Sequence, residues 1–130
     1  FGHGLHYASF DYLDLCCKAE GDKLVISYTI ENTSERGGKE VSQVYVRERA
    51  PLVYRPEKEL KAFAKTFVAA GKQEKVTHTL GIDAFSHWST STDRWEATDG
   101  IYEVLVGASS QDIRLRIKVR VEGGKIALLK

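Results

Sequence analysis

Apolar and polar positions alternate along most of this chain, and the period of the alternation is two. Successive side chains of an extended backbone point to opposite faces, so a period of two predicts half-buried strands rather than helices. Leu24, Ile26, Tyr28 and Ile30 alternate with Val25, Ser27, Thr29 and Glu31. One face of that strand therefore meets a core and the other is mixed. Val44 and Val46 share a face of the run from Glu40 to Glu48, with Val41, Gln43 and Tyr45 on the other. Between these runs Asn32-Thr33-Ser34-Glu35-Arg36-Gly37-Gly38 is made of turn formers, which predicts two antiparallel strands joined by a loop. Lys61 to Val68 and Gln73 to Leu80 alternate again around Ala70-Gly71-Lys72, and Tyr102, Val104 and Val106 pattern a strand that ends at Gly107. The clearest strand comes last. Ile113, Leu115, Ile117, Val119 and Val121 alternate with Arg114, Arg116, Lys118 and Arg120, giving one apolar and one cationic face.

With Phe10 to Cys17 counted first, about seven strands follow at short spacing, and only Ile82 to His87 has room for a brief helical turn. This pattern predicts an all-β fold, an immunoglobulin-like antiparallel β-sandwich. Tyr102 strengthens it. A Tyr at the start of a late strand is the residue whose hydroxyl, in such sandwiches, bonds back to the backbone upstream. The strands place one domain at 10–122, with 1–9 as a lead-in and 123–130 as a C-terminal tail. A length of 130 residues suits a single core.

Charge and chemistry narrow the functions. Nineteen basic against 18 acidic residues leave a net charge of +1, too weak a field to draw in nucleic acid, and no apolar run is long enough to span a bilayer. Glycosidase catalysis needs two carboxyl groups facing each other across a cleft. The acids here instead sit in turns and at outward positions, and Asp11, Asp14, Asp83, Asp93, Asp99 and Asp112 each read as turn or cap residues. No catalytic residue is assigned. His3 and His6 are spaced to share a metal but have no further ligand near them, and His78 shares a strand face with Val76 and Leu80, as a satisfied, partly buried histidine would. Gly37-Gly38 and Gly123-Gly124 read as turn glycines rather than phosphate cradles. Neither a metal nor another cofactor is expected. Cys16 and Cys17 are neighbours whose side chains diverge on a strand, which predicts free thiols.

Three features keep an interaction role open. Phe85, Trp88 and Trp95 stand in a polar stretch. They suit core or interdomain packing, and Trp88 and Trp95 also suit stacking on a sugar ring. The Arg114, Arg116, Lys118 and Arg120 face suits either an acidic partner or an edge kept soluble by charge. Pro51 and Pro56 bracket Leu52, Val53 and Tyr54. The prolines make that segment a surface crossing, and its apolar residues are candidates for docking on a neighbouring domain.

Phe1-Gly2-His3-Gly4-Leu5-His6-Tyr7 with Phe10, Glu31-Asn32-Thr33, Gly38-Lys39-Glu40-Val41 with Gln43-Val44-Tyr45-Val46, Arg55-Pro56 with Lys58-Glu59-Leu60-Lys61-Ala62-Phe63, and Gly100-Ile101-Tyr102-Glu103-Val104-Leu105-Val106-Gly107-Ala108-Ser109-Ser110 with Asp112-Ile113 occur in this order. They resemble the C-terminal fibronectin type III-like domain of family-3 glycoside hydrolases of the β-glucosidase type. His6 stands where that family usually has Ser, Ala62 where it has Gly, and Ala70 where a Pro often precedes the Gly. The resemblance implies a parent enzyme that hydrolyses terminal β-linked glucose or a related sugar with retention, through residues upstream of this segment. It makes 1–9 a linker from an α/β sandwich domain, and Phe1, His3, Leu5, Tyr7, Leu52, Val53 and Tyr54 candidates for interdomain docking. The implied role is that of a non-catalytic accessory domain packed on and stabilising the catalytic domains of the same polypeptide, with oligosaccharide or polysaccharide as a further partner; the alternative is a carbohydrate-binding or protein-interaction β-sandwich module. The chain opens on Phe1 without an initiator and contains no methionine, so it reads as a fragment from which any signal peptide would be absent, and its free thiols favour the cytoplasm over secretion.

Overall fold

The computed structural model describes residues 9–49, 58–89, 92–97 and 99–129. Through them run β1 (Phe10–Glu20), β2 (Lys23–Asn32), β3 (Gly38–Glu48), β4 (Glu59–Val68), β5 (Gln73–Gly81), β6 (Ser86–Ser89), β7 (Arg94–Ala97), β8 (Gly100–Ser109), β9 (Asp112–Glu122) and β10 (Lys125–Leu128), with one 3₁₀ turn at Ile82–Phe85. A three-stranded sheet, β1-β2-β5, packs on a five-stranded one, β10-β9-β8-β3-β4, and β6-β7 form a separate ribbon. All pairings are antiparallel. This is the two-layer sandwich that the alternation predicts.

The strands read from the sequence correspond to β1 to β5, β8 and β9. Each of the additional strands, β6, β7 and β10, has only four residues, too few for a period of two to stand out. β10 lies inside the segment read as a tail. Gly123 and Gly124 both have positive φ, 59° and 78°, the combination a type I′ hairpin turn requires. Lys125–Leu128 then pairs with β9 from Glu122 back to Val119. The amide of Ile126 donates to the carbonyl of Gly21 at 2.8 Å, tying β10 to the β1–β2 turn of the opposite sheet.

The core is filled from both inner faces. β2 contributes Leu24, Ile26, Tyr28 and Ile30; β3 adds Val44 and Val46, β8 adds Tyr102, Val104 and Val106, and β9 adds Val119 and Val121, all buried. Phe85, one of the three aromatics left open in the sequence, is fully buried and meets Tyr102 edge-on at 5.1 Å between ring centroids. Tyr102 Oη donates to the carbonyl of Phe85 at 3.4 Å. The corner read from the sequence is therefore present, and it fastens the 3₁₀ turn to the start of β8.

Asn32 does more than a turn former. Its side chain is buried, donates to the carbonyls of Arg36 at 2.8 Å and Val68 at 2.9 Å, and accepts from the amide of Ser34 at 2.9 Å. Its own amide donates to the carbonyl of Lys72 at 2.9 Å. One residue thus holds the β2–β3 loop, the end of β4 and the β4–β5 turn together, because a buried amide side chain is stable only when its donors and acceptor are met.

One expectation about β9 is corrected. The β8–β9 register shifts on both sides of Gly107, and Arg114 does not join the row of Arg116, Lys118 and Arg120. It lies over the Tyr12 ring of β1, 5.3 Å from the centroid, and donates through Nη1 to the carbonyl of Phe10 at 2.9 Å. A bulge inserts residues on one strand only, which breaks strict alternation and re-aims side chains. At Gly107 the β9 backbone leaves no room for a side chain: a Cβ there would stand 2.1 Å from the carbonyl oxygen of Asp112. The cationic face therefore consists of Arg116, Lys118 and Arg120.

Candidate functional site

Several of the ionisable groups help to hold the sandwich together. Tyr12 Oη donates to Glu40 Oε2 at 2.7 Å, joining β1 of one sheet to β3 of the other, and burial followed by that bond raises the phenol well above its ordinary pKa. Asp112 takes Nε and Nη2 of Arg114 at 2.7 and 3.0 Å, which holds its carboxyl below the usual range. Asp99 accepts the amide of Gly123 at 3.1 Å, and Asp14 and Asp93 sit at positive φ. Asp93 and Asp99 serve the turns, as read from the sequence, whereas Asp11 and Asp14 lie inside β1, Asp14 at its register shift, and Asp112 opens β9 as the ion-pair partner of Arg114. His78 is half-buried and 3.1 Å from Tyr28 Oη, which also lies 2.6 Å from Ser42 Oγ; burial lowers the imidazole pKa. Both cysteines are free, Cys16 exposed and Cys17 half-buried with its thiol pushed up to about 11 by burial. Among the described residues no three His, Cys, Asp or Glu side chains are grouped to hold a metal, and no helix is long and apolar enough to cross a membrane.

What remains is the outer face of the five-stranded sheet. Its β8–β9 half carries the cationic row and one buried carboxylate. Glu103, almost fully buried, accepts Nε and Nη2 of Arg47 at 3.1 and 2.6 Å, and that pairing holds its carboxyl below the ordinary value. Lys118 is the cross-strand partner of Glu103, and Arg116 that of Leu105. The β3–β4 half is different. Leu60 pairs with Tyr45, Phe63 with Gln43, Lys65 with Val41, and Phe67 with Lys39. Phe63 is 67% exposed, Phe67 57%, Leu60 49% and Val41 37%. Strand β4 thus turns Ala62, Ala64 and Val68 to the core and its large apolar residues to the outside.

Trp88 and Trp95 are register partners in the β6–β7 ribbon. Their rings lie outside the described residues, as do Phe1, His3, Leu5, Tyr7, Leu52, Val53 and Tyr54. The outer apolar strip on β4 was not singled out by sequence reasoning. Its signal was the large residues at 60, 63 and 67 against Ala62 and Ala64, legible only once the inward parity was known.

The sandwich and the tyrosine corner define an immunoglobulin-like module. The fibronectin type III-like domain profile matches residues 40–110, more than half of the chain, and the chain belongs to that family. It is similar to the thermostable β-glucosidase B of Acetivibrio thermocellus, 41% identical over 93% of this chain and 17% of that protein. It is 37% identical to the exo-α-(1→6)-L-arabinopyranosidase of Bifidobacterium breve, over 95% of this chain and 16% of the other. Among solved structures, a Bifidobacterium adolescentis GH3 β-glucosidase superposes with a TM-score of 0.84 at 37% identity, covering 93% of this chain and 18% of that one. A Kluyveromyces marxianus β-glucosidase in complex with glucose gives 0.86 at 34% identity, over 100% and 16%. The domain is the one found in family-3 β-glucosidases, and the chain spans about a sixth of the length of these relatives.

Proposed function

We propose that this chain is the non-catalytic accessory domain of a family-3 glycoside hydrolase of the β-glucosidase type, packing on and stabilising the catalytic domains of the same polypeptide. The observation that carries the reading is the asymmetry of coverage: nearly the whole chain matches, yet it matches only 16% to 18% of each relative. The engagement of Tyr12, Glu40, Asp99 and Arg114 in turn and sheet-to-sheet bonds supports a structural role. The N-terminal residues Phe1, His3, Leu5 and Tyr7 and the Leu52, Val53 and Tyr54 segment belong to the same proposal as interdomain contacts. Two free, adjacent cysteines suit a reducing cytoplasm. The test is deletion of the domain from the full-length polypeptide. Its loss should lower the thermal stability of the remainder, and the chain alone should not turn over a chromogenic β-glucoside. Turnover by the chain that vanishes when one of its own carboxylates is replaced would overturn the reading.

The register pairing of Trp88 with Trp95 favours a second reading, contact with an oligosaccharide or polysaccharide at the β6–β7 ribbon. Saturable quenching of tryptophan fluorescence by glucan oligomers, lost in the Trp88→Ala variant, is the result that would support it.

A further inference from the structure

We propose that the outer face of β3 and β4, centred on Phe63 and Phe67, is the surface by which this domain docks on the catalytic part of its own polypeptide, an inference that rests on the accessory-domain reading. The first ground is the parity of β4. A strand whose own core were its only partner would turn its phenylalanines inward and its alanines outward, and this one does the reverse. Among the described residues, four of the five large exposed apolar ones, Val41, Leu60, Phe63 and Phe67, fall on that one face. Large exposed apolar side chains gathered on one face in this way mark an interaction site.

The second ground is size. If a whole aromatic side chain buries roughly 150–250 Å², the exposed parts of these four residues offer on the order of 400 Å². A stable free-standing dimer takes about 800 Å² from each partner, whereas domains of one chain meet over roughly 600–1,500 Å² counted on both sides. The strip fits a domain held in place by a covalent link. Its relatives are chains about six times as long, so such a neighbour is always at hand.

The third ground is charge. Exposed Lys39 and Lys65 stand directly opposite Phe67 and Val41, so cations are interleaved with the apolar residues. The complementary surface is an apolar patch with carboxylates around it. Such an arrangement sets orientation through the charges and affinity through the rings.

The test introduces Phe63→Ser together with Phe67→Ser into the full-length polypeptide and into the chain alone. Phe63 is two-thirds exposed and Phe67 meets the domain only where its ring rests against Gly37, so the chain alone should lose far less of its melting temperature than the full-length polypeptide loses of its protection. In the full-length protein, limited proteolysis should release the domain at least about tenfold faster, from the loss of two buried rings, and the Phe63→Leu/Phe67→Leu pair should restore most of the protection. If release is unchanged while deletion of the domain still destabilises the polypeptide, the accessory reading stands and this surface is the wrong one. If deletion also changes nothing, the accessory reading itself falls. A wild-type chain that sediments as a dimer and becomes monomeric with the serine pair would assign the strip to a second copy and overturn the proposal.

Discussion

Strands β2 and β4 are each ten residues long and each carries large apolar side chains, but the two present them in opposite directions. In β2, Leu24, Ile26, Tyr28 and Ile30 all reach full burial between the sheets. In β4 the inward positions are Ala62, Ala64, Thr66 and Val68, and Leu60, Phe63 and Phe67 look outward. Position in the sheet explains the contrast. β2 is the central strand of the smaller sheet, with β1 and β5 on its flanks, whereas β4 is an edge strand, paired only with β3. At the edge the inward positions of β4 are mostly small, and the outer face is left for another partner. The difference teaches that hydrophobicity in this chain serves two separate ends, folding through β2 and association through β4.

The sharpest way to break this comparison is to remove a side chain from β2. Leu24→Ala should cost about 2–5 kcal/mol, the range for a fully buried leucine that leaves a cavity. Urea unfolding of the chain checks it, and a loss near zero would show that β2 is not the organiser of the core. At the end of the same strand, Asn32→Ala should cost about 2–3 kcal/mol, because it strands the buried carbonyl of Val68 and frees the loop it clamps. An unchanged unfolding midpoint would mean that water replaces the amide without penalty.

Acid sharpens the comparison next, since the two faces carry different titrating groups. His78 stands beside Tyr28 of β2, and burial lowers its pKa from 6.5, so the unfolded chain takes up the proton first. Stability should therefore fall as pH drops below about 6.5 and stop falling once the folded imidazole is protonated too. On the outer face, the folded pKa of Glu103 is lowered from 4.5, chiefly by its bond to Arg47. That contribution is complete above the ordinary value and is lost as pH falls through the lowered one. Thermal melts across this range should show His78→Gln removing the upper step and Arg47→Ala reducing the lower. The smallest effect belongs to β4. Phe63→Ser in the chain alone should change stability by no more than about 0.5 kcal/mol, as surface substitutions do. A larger loss would show that the outward ring already has a partner within the domain.

Much of this was readable before any coordinates. Period-two patterning located β1 to β5, β8 and β9, and Tyr102 announced its corner, because alternation and turn chemistry are local properties of a half-buried strand. The register shift that takes Arg114 out of the cationic row was not readable, since a bulge depends on where the neighbouring strand lies. β10 escaped notice for its brevity, and Asn32 because nothing local says that a turn former will be enclosed by the ends of β4 and β5.

By itself the sequence determined the class of fold, the number of main strands, the motifs that tie the chain to its family and the free state of its two thiols. These follow from spacing and residue type alone. Tertiary structure decided which way β4 faces. Alternation gives two faces but never says which is inside, and a shift of one residue exchanges them entirely. Here the choice is made by pairing Val44 with Ala62 and by the register shift that follows, which sets Tyr45 opposite Leu60. That single parity leaves Phe63 and Phe67 at the surface, and with them the face by which the domain is proposed to meet the rest of its polypeptide.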